Sequence, residues 1–88
     1  MVSSETQEAR LKRLQMRSMR RGIKEMDLIL SAFASANLHH MSEDDLLGYD
    51  ALLNENDHDL YSWVSDQSPT PDSFKPLISK IKAGLAQS

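Results

Sequence analysis

Apolar side chains recur at three- and four-residue intervals along almost the whole chain, and the alternating β-branched pattern of a strand occurs nowhere: valine stands only at positions 2 and 64. Side chains three and four apart share one face of a helix, so this pattern dictates helices that each bury one stripe. With 88 residues the chain can fill one core but not two. The expected fold is all-α, a compact five-helix bundle in a single domain over 1–88, with flexible ends at about 1–4 and 86–88.

Start and stop signals place the helices. Ser4 followed by Gln7 has the form of a capping box and predicts a first helix from near Glu5 to about Arg20, with Leu11, Leu14 and Ser18 inward. Gly22 interrupts, and Ile23, Met26, Ile29, Leu30 and Phe33 form the stripe of a second helix that fades through Ala34-Ser35-Ala36-Asn37. Ser42 with Asp45 starts a third, whose acidic first turn suits the helix dipole and whose apolar face is Leu46, Tyr49 and Leu53 beside Leu47 and Leu52. Gly48 inside it costs about 1 kcal/mol relative to alanine. Asn56 or Asp57 caps a short fourth helix carrying Leu60, Trp63 and Val64. After the loop-like run 65–73, a last helix begins close to Pro76 with the stripe Phe74, Leu77, Ile78, Ile81 and Leu85.

Composition removes several classes of function. Without cysteine there is no disulfide scaffold, cysteine-ligated zinc or iron–sulfur site, or thiol nucleophile. The longest apolar stretch, Leu28 to Ala34, includes Ser31 and falls far short of the roughly 20 residues a bilayer demands. Met1-Val2-Ser3-Ser4-Glu5 contains no apolar signal core, so a cytoplasmic protein without membrane insertion is expected. The net charge of −3 hides a polarised distribution. Residues 1–26 hold seven of the ten basic side chains (Arg10, Lys12, Arg13, Arg17, Arg20, Arg21, Lys24) against three acidic ones, whereas 27–72 hold ten acidic side chains and no lysine or arginine. Such a dipole favours oriented docking on a charged partner.

The densest polar cluster is Arg17-Ser18-Met19-Arg20-Arg21-Gly22-Ile23-Lys24-Glu25. It reads most simply as a solvated helix face with a breaking glycine. Gly22 between two good helical patterns implies either a backbone conformation reserved for glycine or a close approach. Arg21 and Glu25 would pair on a continuous helix for a few tenths of a kcal/mol; at a broken corner they could instead clamp an external group.

Arg21-Gly22-Ile23-Lys24-Glu25 fits the RGxxE signature of the succinate dehydrogenase assembly factor family. The likeness continues through Arg10-Leu11-Lys12-Arg13-Leu14, Met26 to Leu30 and Phe33, and then Leu52-Leu53, Asp57, Asp59-Leu60 and Trp63, so it covers roughly 10–66. The chain resembles the family's bacterial branch. The resemblance implies a five-helix bundle that docks on the flavoprotein subunit of succinate dehydrogenase, with fumarate reductase open as a second client, and promotes covalent attachment of FAD. It also implies no enzyme activity of its own, because bond formation belongs to the flavin and its acceptor histidine. With no glycine-rich phosphate loop, no cofactor should be held stably by this chain; it would act on the FAD of the partner. Arg21, Gly22 and Glu25 are the implied partner contacts, and Arg17 and Arg20 join them on charge grounds.

The remaining polar residues suggest less. His39-His40 with Glu43 could be imagined as a metal site, but adjacent histidines point apart on a helix, and His58 reads as a surface residue beside a cap. Trp63 and Phe33 read as core, and Asp57 and Asp59 as ordinary cap residues. Two alternatives exist. An acyl-carrier module is suggested by Asp72-Ser73-Phe74, although only fifteen residues follow Ser73. A basic-helix nucleic-acid module is suggested by the first helix, although no aromatic precedes Phe33 and the acidic remainder would repel phosphate. No nucleic acid partner is therefore expected.

Overall fold

Thr6 begins the first helix. In the computed structural model, which describes residues 6–86, the Thr6 hydroxyl accepts a hydrogen bond from the Ala9 N–H at 3.1 Å, and helix α1 spans Gln7–Arg17. The expected cap at Ser4 lies outside the described residues, as do the expected flexible ends except for Ala86. The helix stops three residues before the expected Arg20 because Arg20 itself turns left-handed, with φ 56°. Ser18 closes the last turn, its hydroxyl donating back to the Leu14 carbonyl at 2.8 Å.

Helix α2 spans Lys24–Asn37, and the Asn37 amide donates to the Phe33 carbonyl at 2.9 Å at its end. A single 3₁₀ turn, Leu38–His40, then drives Leu38 into the core. Helix α3 spans Glu43–Leu52 and starts as its sequence dictates, with the Ser42 hydroxyl accepting from the Asp45 N–H at 3.1 Å. Helix α4 spans Asp57–Val64. Of the two candidate caps it uses Asn56, which accepts from the His58 N–H at 2.8 Å and so leaves the Asp57 carboxylate free for other work. A 3₁₀ turn, Asp72–Phe74, leads into helix α5, Lys75–Ala86, with Pro76 in the first turn where its missing N–H is not needed. No strand occurs among the described residues.

The stripes meet in one core. Leu14, Met26, Leu30, Phe33, Leu46, Tyr49, Leu53, Leu60, Trp63, Val64, Leu77, Ile78 and Ile81 are buried as their spacing predicts, and Ala34, Leu38 and Leu52 join them. Leu11, Ile23 and Ile29 pack only at its margin, and Leu85 is exposed. A Cβ on Gly48 would lie 3.2 Å from Leu77 Cδ1, so the glycine serves the close approach of α3 to α5. Tyr49 is fully buried, its hydroxyl 2.6 Å from that of Ser18, and burial pushes the phenol up to about 12.

Candidate functional site

The link between α1 and α2 makes its sharp turn at Arg20. Gly22 is not in the left-handed region, so of the two reasons for a glycine there the structure selects close approach. A Cβ on Gly22 would stand 3.0 Å from Asp57 Oδ2, the same oxygen that accepts the Gly22 N–H. The other oxygen, Oδ1, accepts from Arg21 Nε at 2.7 Å and forms an ion pair with Nη2, also at 2.7 Å. Arg21 Nη1 donates to the Arg17 carbonyl at 3.0 Å and the Leu53 carbonyl at 3.2 Å, and Nη2 donates to the Glu55 carbonyl at 3.4 Å. One guanidinium thus ties the end of α1, the turn after α3 and the first residue of α4 together. Its planar fork meets a carboxylate placed at a helix N-terminus, where negative charge is favoured.

Arg21 therefore does not stand at an exposed corner beside Glu25. Its side chain is 11% exposed and that of Asp57 16%, and the partner of Arg21 is Asp57. Glu25 lies in the first turn of α2, exposed, with no side-chain hydrogen bond or ion pair among the described residues. The motif is divided: Arg21 and Gly22 are gripped from inside and Glu25 is left to solvent. Asp57 is the residue that cap reasoning missed, and its place in the pattern Asp57, Asp59-Leu60, Trp63 was the available signal.

Arg17 also faces inward. It pairs with Asp50 and donates to Asn54 Oδ1 at 2.6 Å, while Arg13 reaches Asp50 Oδ2 at 3.1 Å and Arg10 reaches Glu43 at 2.8 Å. The hydrogen bond from Arg13, with the charges of Arg13 and Arg17, holds the Asp50 carboxyl below the usual carboxylate range. Much of the basic-against-acidic polarity of the sequence is consumed by this ladder between α1 and α3. Arg20 is exposed and has no partner among the described residues.

His39 and His40 sit exposed in the 3₁₀ turn and His58 is exposed on α4; no group of three or more potential ligands that could hold a metal is found among the described residues. The N-termini of α1 to α4 also suit a dinucleotide poorly. Their first turns carry Glu8 in α1, Glu25 and Asp27 in α2, Glu43 to Asp45 in α3, and Asp57 and Asp59 in α4, each of which would repel a pyrophosphate from the amides it needs.

Five short helices around one core, with a motif corner braced by a single carboxylate, define a small all-helical domain. The chain belongs to the family described as flavinator of succinate dehydrogenase, which matches residues 12–84. It is 44% identical over 75 residues to "Succinate dehydrogenase assembly factor 2, mitochondrial" of Candida glabrata, covering 80% of this chain and 49% of that protein. The protein of the same name in Danio rerio is 41% identical over 75 residues, with 83% and 48% covered. "Succinate dehydrogenase assembly factor 2-A, mitochondrial" of Drosophila yakuba is 39% identical over 80 residues, with 89% and 49% covered. The chain spans about half the length of these relatives. Among the described residues no helix is long and apolar enough to cross a membrane.

Proposed function

We propose that this chain is an assembly factor that binds the flavoprotein subunit of succinate dehydrogenase and promotes covalent attachment of FAD to it. The observation that carries this reading is the divided motif. A corner fixed by Arg21, Gly22 and Asp57 presents Glu25 and Arg20 outward with no partner among the described residues. A carboxylate held ready at a fixed place on a folded scaffold recognises a donor on another protein without losing much side-chain freedom of the surroundings. Arg21 and Arg17 contribute by holding that corner, and the Gly22 backbone leaves room beside it. The chain supplies orientation, and the flavin and its acceptor supply the bond-forming chemistry, so it is not an enzyme. The acidic starts of α1 to α4 give FAD no ready pyrophosphate cradle there. The reading places the protein in whichever compartment loads the flavoprotein with FAD.

The test is flavin fluorescence of the denatured flavoprotein subunit in cells lacking the native factor. The wild-type chain should restore the fluorescent band, and Glu25→Ala should fail to do so while circular dichroism shows unchanged helicity. Full restoration by that folded variant would remove Glu25 from the contact. The same assay on the flavoprotein of fumarate reductase defines the range of clients.

A further inference from the structure

Among the described residues two side chains stand on backbone in the left-handed region, Arg20 at φ 56° and Asp66 at φ 65°. That conformation crowds the Cβ of an L residue, and glycine or asparagine holds it at lower cost. Asp66 is explained within the fold. A short acidic side chain tolerates the left-handed region, and its carboxylate forms an ion pair with Lys82 of α5. Neither reason holds at Arg20, whose side chain is long, exposed and without a hydrogen bond or ion pair to any described residue.

The turn itself does not need an arginine. Its brace is made by the next two residues: Arg21 reaches Asp57 and three carbonyls, and the Gly22 N–H donates to the second Asp57 oxygen. The end of α1 is held by Ser18, whose hydroxyl donates to the Leu14 carbonyl and lies 2.6 Å from that of Tyr49. Nearby carboxylates do not engage the Arg20 guanidinium either. Both oxygens of Asp57 are taken, and Glu25, five positions on and equally exposed, makes no pair with it. Two opposite charges that could neutralise each other are thus both left available at one corner, and the backbone is strained at the residue carrying the positive one. Strain that no contact within a fold requires points to a contact outside it.

We infer that Arg20 is a recognition residue, its guanidinium receiving a carboxylate side chain of the flavoprotein while Glu25 faces a donor of the same client. This rests on the assembly-factor reading and deepens it, since the corner then reads two opposite charges in a fixed order rather than one acceptor alone. The planar guanidinium fork matches a carboxylate through two parallel hydrogen bonds. The pyrophosphate of the client's FAD is the poorer counterpart, because Glu25 and Asp27 in the first turn of α2, just beyond Arg20 in the chain, repel it.

The experiment compares the full chain with Arg20→Gly, Arg20→Asn and Arg20→Lys, by urea unfolding and by titration of the purified flavoprotein subunit without FAD and with it. Glycine and asparagine suit left-handed backbone, so the urea midpoints of Arg20→Gly and Arg20→Asn should equal or exceed that of the parent. Their affinity for the FAD-free flavoprotein should nevertheless fall by about 10-fold or more, and that of Arg20→Lys, which keeps the charge without the fork, should fall less. Stability kept or gained while binding is lost is a combination that a residue serving only the fold does not give. Parental affinity in Arg20→Gly and Arg20→Asn would overturn the inference alone, and so would lowered urea midpoints in both, which would assign the arginine to the fold. A loss of affinity seen only when FAD is present would move the acceptor to the pyrophosphate and overturn the carboxylate as the recognised group. Failure of the wild-type chain to bind the flavoprotein at all would overturn both this inference and the functional reading beneath it.

Discussion

Arg21 and Glu25 are four residues apart and serve opposite ends. At Arg21 every guanidinium nitrogen has an acceptor within the fold, and the side chain joins α1, the turn after α3 and α4 through Asp57 and three carbonyls. At Glu25 the carboxylate is exposed and engages nothing among the described residues. The contrast teaches that a short motif can pair a side chain fixed inside the fold with one left to solvent. Loss of function at its two ends should then have different causes, and thermodynamic measurements can separate them.

The largest effect is expected at the support. Breaking a largely buried, multiply bonded ion pair leaves its partner uncompensated, at a cost of about 3 kcal/mol. Arg21→Ala and Asp57→Ala should each lower stability by about that much in urea unfolding. Their double variant should cost distinctly less than the two added together, because the second loss removes a group already stranded. Additive losses would mean that the two side chains do not depend on each other. Arg21 lies on no apolar stripe, yet it braces the bundle.

Gly22 sharpens the same comparison. Asp57 is held by Arg21 and by the Gly22 N–H, so its carboxylate has little freedom to retreat from a Cβ at 3.0 Å. Gly22→Ala should cost about 1 kcal/mol, and Gly22→Arg more, because a larger side chain must displace the brace. In an Asp57→Ala background the cost of Gly22→Ala should largely vanish; if it persists, backbone conformation rather than the carboxylate requires the glycine.

The helical framework was legible because the apolar stripes and the Ser42 and Asn56 start signals act locally. The brace was not. Asp57 in sequence is one more acidic residue at a helix start, and only the return of α4 to the α1–α2 link, more than thirty positions away in the chain, turns it into the partner of Arg21. Leu38 escaped for a related reason, since a 3₁₀ turn has a different period from the helix before it. The charge dipole was real in sequence, but folding spends much of it on the ladder Arg10, Arg13 and Arg17 to Glu43 and Asp50, which no count of charges reveals.

A smaller effect separates the polar centre of the core from the corner. The Tyr49 phenol, pushed from 10.0 up to about 12 by burial, prefers its neutral form in the folded state. A raised folded pKa contributes stability that is full below the unfolded value and is lost as pH rises through the folded one, so this contribution should fade between about pH 10 and 12. Tyr49→Phe should cost about 1 kcal/mol at neutral pH through the lost Ser18 hydrogen bond, and should reduce the alkaline decline. Equal decline in both proteins would assign the alkaline transition to other groups.

The smallest thermodynamic effect, and the one that decides what the motif is for, belongs to Glu25. Its carboxylate has no partner to strand among the described residues, and its place in the first turn of α2 gives it the weak, screened attraction of the helix dipole. Glu25→Gln keeps the shape and acceptor oxygen but removes the charge, and Glu25→Ala removes both. Thermal unfolding of both variants should therefore overlay that of the parent. If the carboxylate meets a cation on the flavoprotein, flavin attachment should fall strongly in both; if it accepts from a neutral donor, Glu25→Gln should retain most of the activity that Glu25→Ala loses. Destabilisation of Glu25→Ala comparable to that of Arg21→Ala would show instead that both ends of the motif hold the fold, and the contrast between support and contact would be lost.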